Sequence, residues 1–567
     1  MTKKKKYKVV VWKLVLALFV LVVALFGVIK IISLPFKLIS DGGSKIGFVA
    51  ASATEAILYD SDFKESNKII RGEEIKIKNK EITNGNLVYY KVVSVNGDYL
   101  ILKDNFTDNR DNSVLEKELY VRTYATVYKN METAEILGVV SKGDKIDIIG
   151  YDKLLEDGTV NKYKIKYDNS EGYVYSKYLV STKEEALLNY DEDGLYQLHV
   201  NTGDPYDIGN ASYLDFYPRE KGNFDDNVMP KEVRAFYLNA GVLGNVYEYI
   251  KLAKDSNINA FVVDIKDNTA PGYESEVMKK YSPTSYDEAM NSSDKYKGAI
   301  QKLKENGFYV IGRITVFKDS FLVKDHPEVA ITDTSTNSPF LHNGSYWPSA
   351  FNRYVWEYNV ELAKEAIKEM GFNEIQFDYV RFPDGTYSYE SDGLISMQNK
   401  FKEEKAEAIQ KFLMYAADEI HALGAYISAD VFGESAHNYV TGYGQYWAGI
   451  SNVVDVISAM PYPDHFGIYE YGFKVPVWTI PYDLLKEWGE YVVNRQKSIP
   501  TPAIVRTWIQ AYDAVKSPRI AYDADMVSEE IKGLYANPGM NGGYMTWNSN
   551  SSLAKYREIA PAFKKEY

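Results

Sequence analysis

The 567 residues contain no cysteine. Disulfides, thiolate metal sites and cysteine nucleophiles are therefore excluded together. Histidine is scarce, with six in all, and none stands in a HExxH or paired-ligand spacing, so a metal centre has no ligand set to begin from. His437 and His465 read as single loop or core residues. No glycine-rich phosphate loop follows an apolar run, and no GxSxG elbow supplies a serine nucleophile. Positive charge is also in deficit: 65 Lys and Arg stand against 78 Asp and Glu, a net charge of −13. That argues against nucleic acid as a partner and against a peripheral grip on anionic lipid by the folded part. The excess acid is explained by solubility. No cofactor and no metal is expected.

What is present begins with one long apolar run. Leu14–Ile29 carries no charge, and it follows the lysine cluster Lys3–Lys6, Lys8 and Lys13. With its flanks it approaches the length of a membrane-crossing helix, and lysines at its two ends can reach the interfaces. The lysine cluster should stay inside the cell. The expectation is a cytoplasmic tail over 1–13, an uncleaved transmembrane signal-anchor over 14–32 in the lipid bilayer, and the bulk of the chain outside. A cleaved signal would need small residues close behind the run, whereas Ala50–Ala53 lies too far on.

The rest has the composition of a folded protein, 46% hydrophobic and 25% charged, and its length predicts two to four domains. From Gly47 to Val180, short alternating runs are split by Gly, Asn and Asp, the pattern of small β-domains. The segment "ATVYKNMETAEILGVVSKGDKIDIIGYDK…NKYKIKYDNSEGYVYSKYLV" resembles the bacterial SH3-like domain, placed at 118–182. The stretch 47–117 resembles a more divergent copy. That resemblance implies either a spacer or contact with peptidoglycan or wall peptides. Residues 183–230 are acidic and without sustained period, and read as a linker or a lid.

Beyond 231 the texture changes. Eight apolar runs alternate with amphipathic stretches: Arg234–Gly241, Ile258–Asn268, Phe308–Asp319, Asn373–Phe382, Ala425–Gly433, Val454–Tyr462, Ala503–Tyr512 and Gly542–Asn550. Between them, "FKEEKAEAIQKFLMYAADEIHALG" repeats Phe401, Ile409, Phe412, Ala416, Ile420 and Leu423 at helical spacing. Helices enter strands through tight glycine stops at Gly307, Gly371 and Gly424, while strand-to-helix connections are long and polar. The fold class is α/β: a (β/α)8 TIM barrel over 231–567, preceded by small all-β domains and the N-terminal helix. In such a barrel the long loops crowd the C-terminal ends of the strands, where chemistry is done.

Strand side chains alternate between interior and helix layer. Sorting by parity turns Asp264 and Lys266 inward on the second strand, Arg313 and Thr315 on the third, Gln376 and Asp378 on the fourth, and Ser428 and Asp430 on the fifth. The seventh gives Arg506, Trp508 and Gln510, and the eighth Thr546 and Asn548. Asp378 and Arg381 differ in parity, so they do not form a simple local ion pair, and Arg381 reaches the interior only where Pro383 and Gly385 end the strand. Asp378 and Asp430 lie at matching ends of adjacent strands, and strands stand about 4.8 Å apart, so the two carboxylates can approach the roughly 5–5.5 Å separation of a retaining glycosidase pair. Asp378 is the candidate nucleophile and Asp430 or Glu434 the candidate acid/base. Asp264, Lys266, Arg313, Tyr379, Arg381, Tyr462, Arg506, Trp508, Gln510, Trp547 and Asn548 are candidates for holding sugar. The competing expectation is a self-satisfied polar network that merely plugs the barrel.

The segments "FVVDIKD", "GRITVFKD", "IQFDYVRFPDG", "ISADVFG", "ISAMPYPDHF", "VRTWIQAYD" and "GGYMTWNSNSS" resemble the glycoside hydrolase domain of many bacterial surface proteins, a TIM-barrel family related to alpha-amylase-like glycosidases. The resemblance runs over about Arg234–Tyr556. It implies a barrel acting on a glycan, with Asp378 as nucleophile. At the seventh strand "RTWIQAY" stands where the family would have "RPWLQDF", so Ala511 can supply no acid. The expected function is hydrolysis of a glycosidic bond in a surface or wall polysaccharide by a membrane-anchored, outward-facing enzyme. The alternative is a glycan-binding or wall-organising protein on a barrel without turnover.

Overall fold

The computed structural model describes residues 43–93, 97–155, 158–188, 202–540 and 542–567. The predicted tail and signal-anchor, 1–13 and 14–32, lie outside these residues. Among the described residues no helix is long and apolar enough to cross a membrane. The chain divides into two compact units. One comprises residues up to 117 together with 148–163, and the other 118–147 together with 164–567.

The first unit carries an antiparallel sheet that begins at Ser44–Val49 and ends at Phe106–Thr107. Its inward positions, Val49, Ala56, Ile77, Val92 and Ile101, make a small core of their own. The all-β expectation for this region holds.

The second unit opens with short antiparallel strands. Ala125–Tyr128 pairs with Ile136–Val140, and Leu179–Val180 with Glu118–Val121. These strands are fastened to the helix layer that follows. Glu361 and Glu357 of the helix Arg353–Glu365 accept the backbone N–H of Ala134 and Ile136, each at 2.8 Å. Tyr415 donates to the Ala134 carbonyl at 2.6 Å.

The barrel then forms from parallel strands in chain order: β1 (Val233–Leu238), β2 (Ala260–Asp267), β3 (Tyr309–Thr315), β4 (Glu374–Asp378), β5 (Tyr426–Phe432) and β6 (Val456–Met460). The seventh strand, β7, is in two pieces: Ile504–Val505 pairs with β6, and Thr507–Gln510 pairs with β8 (Gly543–Trp547). Since β8 also pairs with β1, the ring is nearly closed, with Arg506 at the break in β7. Gly307, Gly371 and Gly424 hold φ of 85°, 83° and 71°, the left-handed stops read from the sequence. The helix Lys405–His421 starts one turn later than its apolar pattern suggested. A reciprocal capping box between Glu404 and Glu407 sets that start and leaves Phe401 outside the helix and exposed.

Candidate active site

The barrel interior has two tiers. Val233, Ala235, Ala260, Val262, Ile311 and Met545 supply its apolar filling. Near the strands' N-terminal ends, Glu374 of β4 receives Arg506 through both oxygens, at 2.7 and 3.0 Å. Tyr309 and Ser428 donate to the same carboxylate at 3.0 and 2.6 Å. This group is saturated and fully buried. Arg506, expected among the sugar-holding residues, belongs to this floor instead. It sits at the break in β7, level with the first residue of β4.

The second tier lies at the opposite end of the same strands. Arg313 of β3 donates through Nε and Nη2 to Asp378 Oδ2, at 3.0 and 2.6 Å, and through Nη1 to Asp264 Oδ1 at 2.7 Å. Asp267 stands 3.6 Å from the same Nη1. The other oxygen of Asp378 accepts the N–H of Tyr379 at 2.6 Å. Asp264 also accepts the Tyr237 hydroxyl at 2.5 Å. Burial pushes Asp264 up to about 6, against the pull of Arg313.

Asp430 is 1% exposed. Its Oδ1 accepts the indole N–H of Trp508 at 2.8 Å, and its Oδ2 has no hydrogen-bond partner among the described residues. Phe377 and Ala429 are partners in register, so Asp378 and Asp430 follow at the same level of adjacent strands. Burial, and then the charge of Asp378, push Asp430 well above the carboxylate range.

A cavity of about 130 Å3 opens over this tier, lined by Arg313, Asp378, Tyr379, Arg381, Tyr462 and Trp508 together with Phe432, Met460, His465 and Trp547. Its walls are largely aromatic: Trp508 and Trp547 meet edge to face at 5.6 Å, and Tyr237 lies 4.6 Å from Trp547. Flat apolar faces with a few convergent polar groups are what a sugar ring requires. Phe432, Met460 and His465 are shared with a second cavity of about 580 Å3, so the two adjoin as the inner and outer parts of the mouth. Glu434 lies in that outer part, accepting Tyr439 and Tyr443 at 3.1 and 2.7 Å.

The structure thus brings together Asp264, Arg313, Asp378, Asp430, Tyr379, Arg381, Tyr462, Trp508 and Trp547. Besides Arg506, three expected sugar-holding residues, Lys266, Gln510 and Asn548, lie elsewhere. Lys266 pairs with Asp319 at 2.5 Å and lies over the ring of Tyr358 in the helix layer. A register shift between Asp264 and Lys266 reverses the parity there. Gln510 accepts the N–H of Asp464 at 3.3 Å and donates to the Tyr512 carbonyl, which braces a loop. On β8 the interior residues are Met545 and Trp547, not Thr546 and Asn548. Thr546 donates to the Ala235 carbonyl. Asn548 accepts the N–H of Ser552 and donates to the Ala511 carbonyl, next to the helix Leu553–Phe563.

Tyr237, Phe432, Met460 and His465 were not singled out for the site from the sequence. Tyr237 was recoverable by parity, since it is the last inward residue of β1. Phe432 and Met460 were recoverable in the same way, as the last residues of β5 and β6, whereas His465, in a turn beyond β6, had no such signal.

The segment 202–229 is neither a free linker nor a simple lid. Tyr206 lines the outer groove. Further on, Lys221 donates to the Val454 carbonyl at 2.6 Å, and Asn227 to the carbonyls of Asn373 and Gly424, at 2.8 and 2.9 Å. These acceptors precede β6, β4 and β5, so the segment descends from the rim to the floor of the barrel.

A parallel barrel here gathers three aspartates, two arginines and tryptophan faces at its C-terminal mouth, the end of such a barrel where enzymes carry their sites. The family described as "Putative glycosyl hydrolase domain" matches residues 235–553, and the chain belongs to that family. No curated protein matches it. Among solved structures, a hypothetical protein from Ruminiclostridium thermocellum ATCC 27405 is 34% identical over 35% of this chain and 97% of its own, with a TM-score of 0.29. The PgaB (BpsB) glycoside hydrolase domain from Bordetella bronchiseptica is 13% identical, covering 59% of this chain and 98% of its own, with a TM-score of 0.42. A GH20 exo beta-N-acetylglucosaminidase from Vibrio harveyi is 13% identical over 59% of this chain and 54% of its own, with a TM-score of 0.39. These scores are too low to carry an argument from superposition. The fold rests on the strand pairing, and the family on the sequence match.

Proposed function

We propose that the chain hydrolyses a glycosidic bond in a cell-surface or cell-wall polysaccharide, working outside the cell from a membrane anchor at 14–32. The antiparallel strands ahead of the barrel would serve as SH3-like spacers or wall-peptide contacts. One observation carries the reading: Asp378 is fixed by Arg313 at an aromatic-walled cavity, beside a second carboxyl, Asp430, whose pKa burial and the charge of Asp378 raise well above the ordinary value. A carboxyl of raised pKa beside a second carboxyl is what acid-assisted glycoside cleavage uses. In this reading Asp378 faces the anomeric carbon, as nucleophile or as counter-charge to the oxocarbenium-like transition state. Asp430 supplies the proton to the departing oxygen, and Glu434 is the second candidate for that role.

A different reading, a glycan-binding barrel without turnover, is favoured by one fact: Asp430 does not line the inner cavity, where Asp378 is the sole carboxylate among the lining residues. Reducing-end release from wall and surface polysaccharides separates the two. The hydrolase reading expects release by the wild type and its loss in Asp378→Asn and Asp430→Asn. Binding without release by all three proteins would establish the second reading.

A further inference from the structure

The sequence "DYVRFPDG" leaves its strand abruptly. Tyr379 adopts φ of 51°, a left-handed conformation that an aromatic residue takes only when its surroundings enforce it. The turn cancels the parity difference and brings Arg381 into the cavity that Asp378 lines.

The guanidinium arrives there without a counter-ion among the described residues. It stands over the rings of Phe432 at 4.4 Å, Trp347 at 5.1 Å, Tyr379 at 5.1 Å and Tyr443 at 5.9 Å. Nη1 donates to the carbonyl of the next residue, Phe382, at 3.1 Å. It makes no ion pair among the described residues, although the side chain is 8% exposed.

The other inward-predicted cations of the barrel strands behave differently: Arg313 has Asp264 and Asp378, Arg506 has Glu374, and Lys266 has Asp319. Aromatic faces return only part of what a buried cation loses in leaving water. A second cation deepens the imbalance. Lys318 stands 4.8 Å from the Tyr379 ring and has no ion pair among the described residues. Burial lowers the proton affinity of both groups, and the charge of Arg381 lowers that of Lys318 further. The acids facing them are otherwise engaged or distant. Asp378 is bound by Arg313 and the Tyr379 N–H, Asp267 stands beside Arg313, and Asp384 lines the outer groove.

We propose that Arg381 binds a negatively charged substituent on the sugar seated beside Asp378, so that the substrate is an acidic glycan. This rests on the glycosidase reading above. A planar guanidinium fork suits a carboxylate bidentately and a sulfate ester nearly as well, and Lys318 adds charge without fixing geometry.

The test uses the full-length chain and wall and surface polysaccharides in matched pairs: native against carboxyl-reduced, and native against desulfated. The wild type is expected to favour the charged member by at least about tenfold in kcat/KM, the scale of one hydrogen bond to a charged group. The pair showing the preference identifies the substituent. Arg381→Met should bring the ratio close to one, and Arg381→Lys should leave it in between. For the wild type, KM on the charged glycan should rise with salt while KM on its neutral partner stays level.

Equal hydrolysis of charged and neutral members by the wild type overturns the proposal and leaves the hydrolase reading standing. If no glycan is cleaved, titration calorimetry on the same pairs decides. A preference that depends on Arg381 keeps the anion site while the hydrolase reading falls, and no preference removes both. Should Arg381→Met fail to fold, Arg381→Lys and the salt series carry the decision, and a flat salt response counts against the site.

Discussion

Asp378 and Asp430 are the same residue type on neighbouring strands, and their surroundings make them chemically different. Asp378 accepts from Arg313 and from the Tyr379 N–H, bonds that a carboxylate makes and a neutral acid would weaken. Asp430 has one donor, Trp508, and an unpartnered second oxygen. Asp430→Asn should therefore fold normally and lose about 10²- to 10⁴-fold in kcat, the range for a general acid, measured as reducing-end release. The pH dependence has a definite sign. A general acid works while protonated, so kcat should fall as pH rises through the raised pKa of Asp430. In Asp378→Asn the larger of the two charges behind that rise is gone, while burial and Glu374 remain. The infrared band of the buried, protonated carboxyl of Asp430 should then vanish at a lower pH than in the wild type. A band that vanishes at the same pH in both proteins would remove the electrostatic link between the pair. Both carboxyls were legible in the sequence because β4 and β5 are regular, with apolar outer positions that leave no doubt about the inner ones. Arg381 was legible as a site candidate from the end of its strand at Pro383 and Gly385, whereas the left-handed turn at Tyr379 that carries it inward was not, because that turn is a tertiary event with no local sequence signature such as glycine.

At the level of elements, the floor and the mouth of the barrel use similar ion pairs for different ends. Glu374 is satisfied by Arg506, Tyr309 and Ser428 and does not line the cavity at the mouth. Arg506→Met would strand it and should cost about 3–5 kcal/mol in denaturant unfolding, whereas the double variant with Glu374→Gln should recover most of that loss. Neither change is expected to alter substrate preference.

The helix Ala524–Tyr535 hides a second proton-linked group. Glu530 is fully buried, with Oε1 accepting the Gln510 N–H at 2.9 Å and Oε2 unpartnered among the described residues. Burial raises its pKa well above the ordinary value. The native state then holds a proton that the unfolded chain releases near pH 4, so this group's contribution to stability falls as pH rises from there through its native pKa. Glu530→Gln should accordingly melt higher than the wild type at pH 8, with the gap narrowing towards pH 4, read by calorimetry. Elements also show where parity sorting fails. On β2 a register shift turns Lys266 outward. On β8 Tyr544, Met545 and Trp547 place large apolar groups on both faces, so alternation carried no information. On β7 the depth of Arg506 depended on a break that composition does not announce.

Across the whole molecule, the barrel and its glycine stops could be read from eight apolar runs and their connections. The path of residues 202–229 could not, because a segment without period reveals neither the rim it lines nor the floor it braces. The groove that results is longer than the inner cavity. Tyr439 stacks with His437 at 5.6 Å and with Tyr206 at 6.2 Å along its outer part. Tyr439→Ala should raise KM for long oligosaccharides several-fold while leaving that for the shortest cleaved fragment unchanged, measured over a length series. The split in β7 and the pairing of β1 with β8 carry a consequence in time. During synthesis, Tyr237 and Asp264 leave the ribosome some three hundred residues before Trp547 (Val233 pairs with Gly543). Such distant partners make closure the late event. Until the last strand arrives, β1 presents an open edge and Trp547, which faces Arg313, Tyr237 and Trp508, is missing, so the candidate site is incomplete. A stop codon ahead of β8 would therefore yield a chain with every carboxyl in place, no working site, and two sticky sheet edges for the quality-control machinery to find.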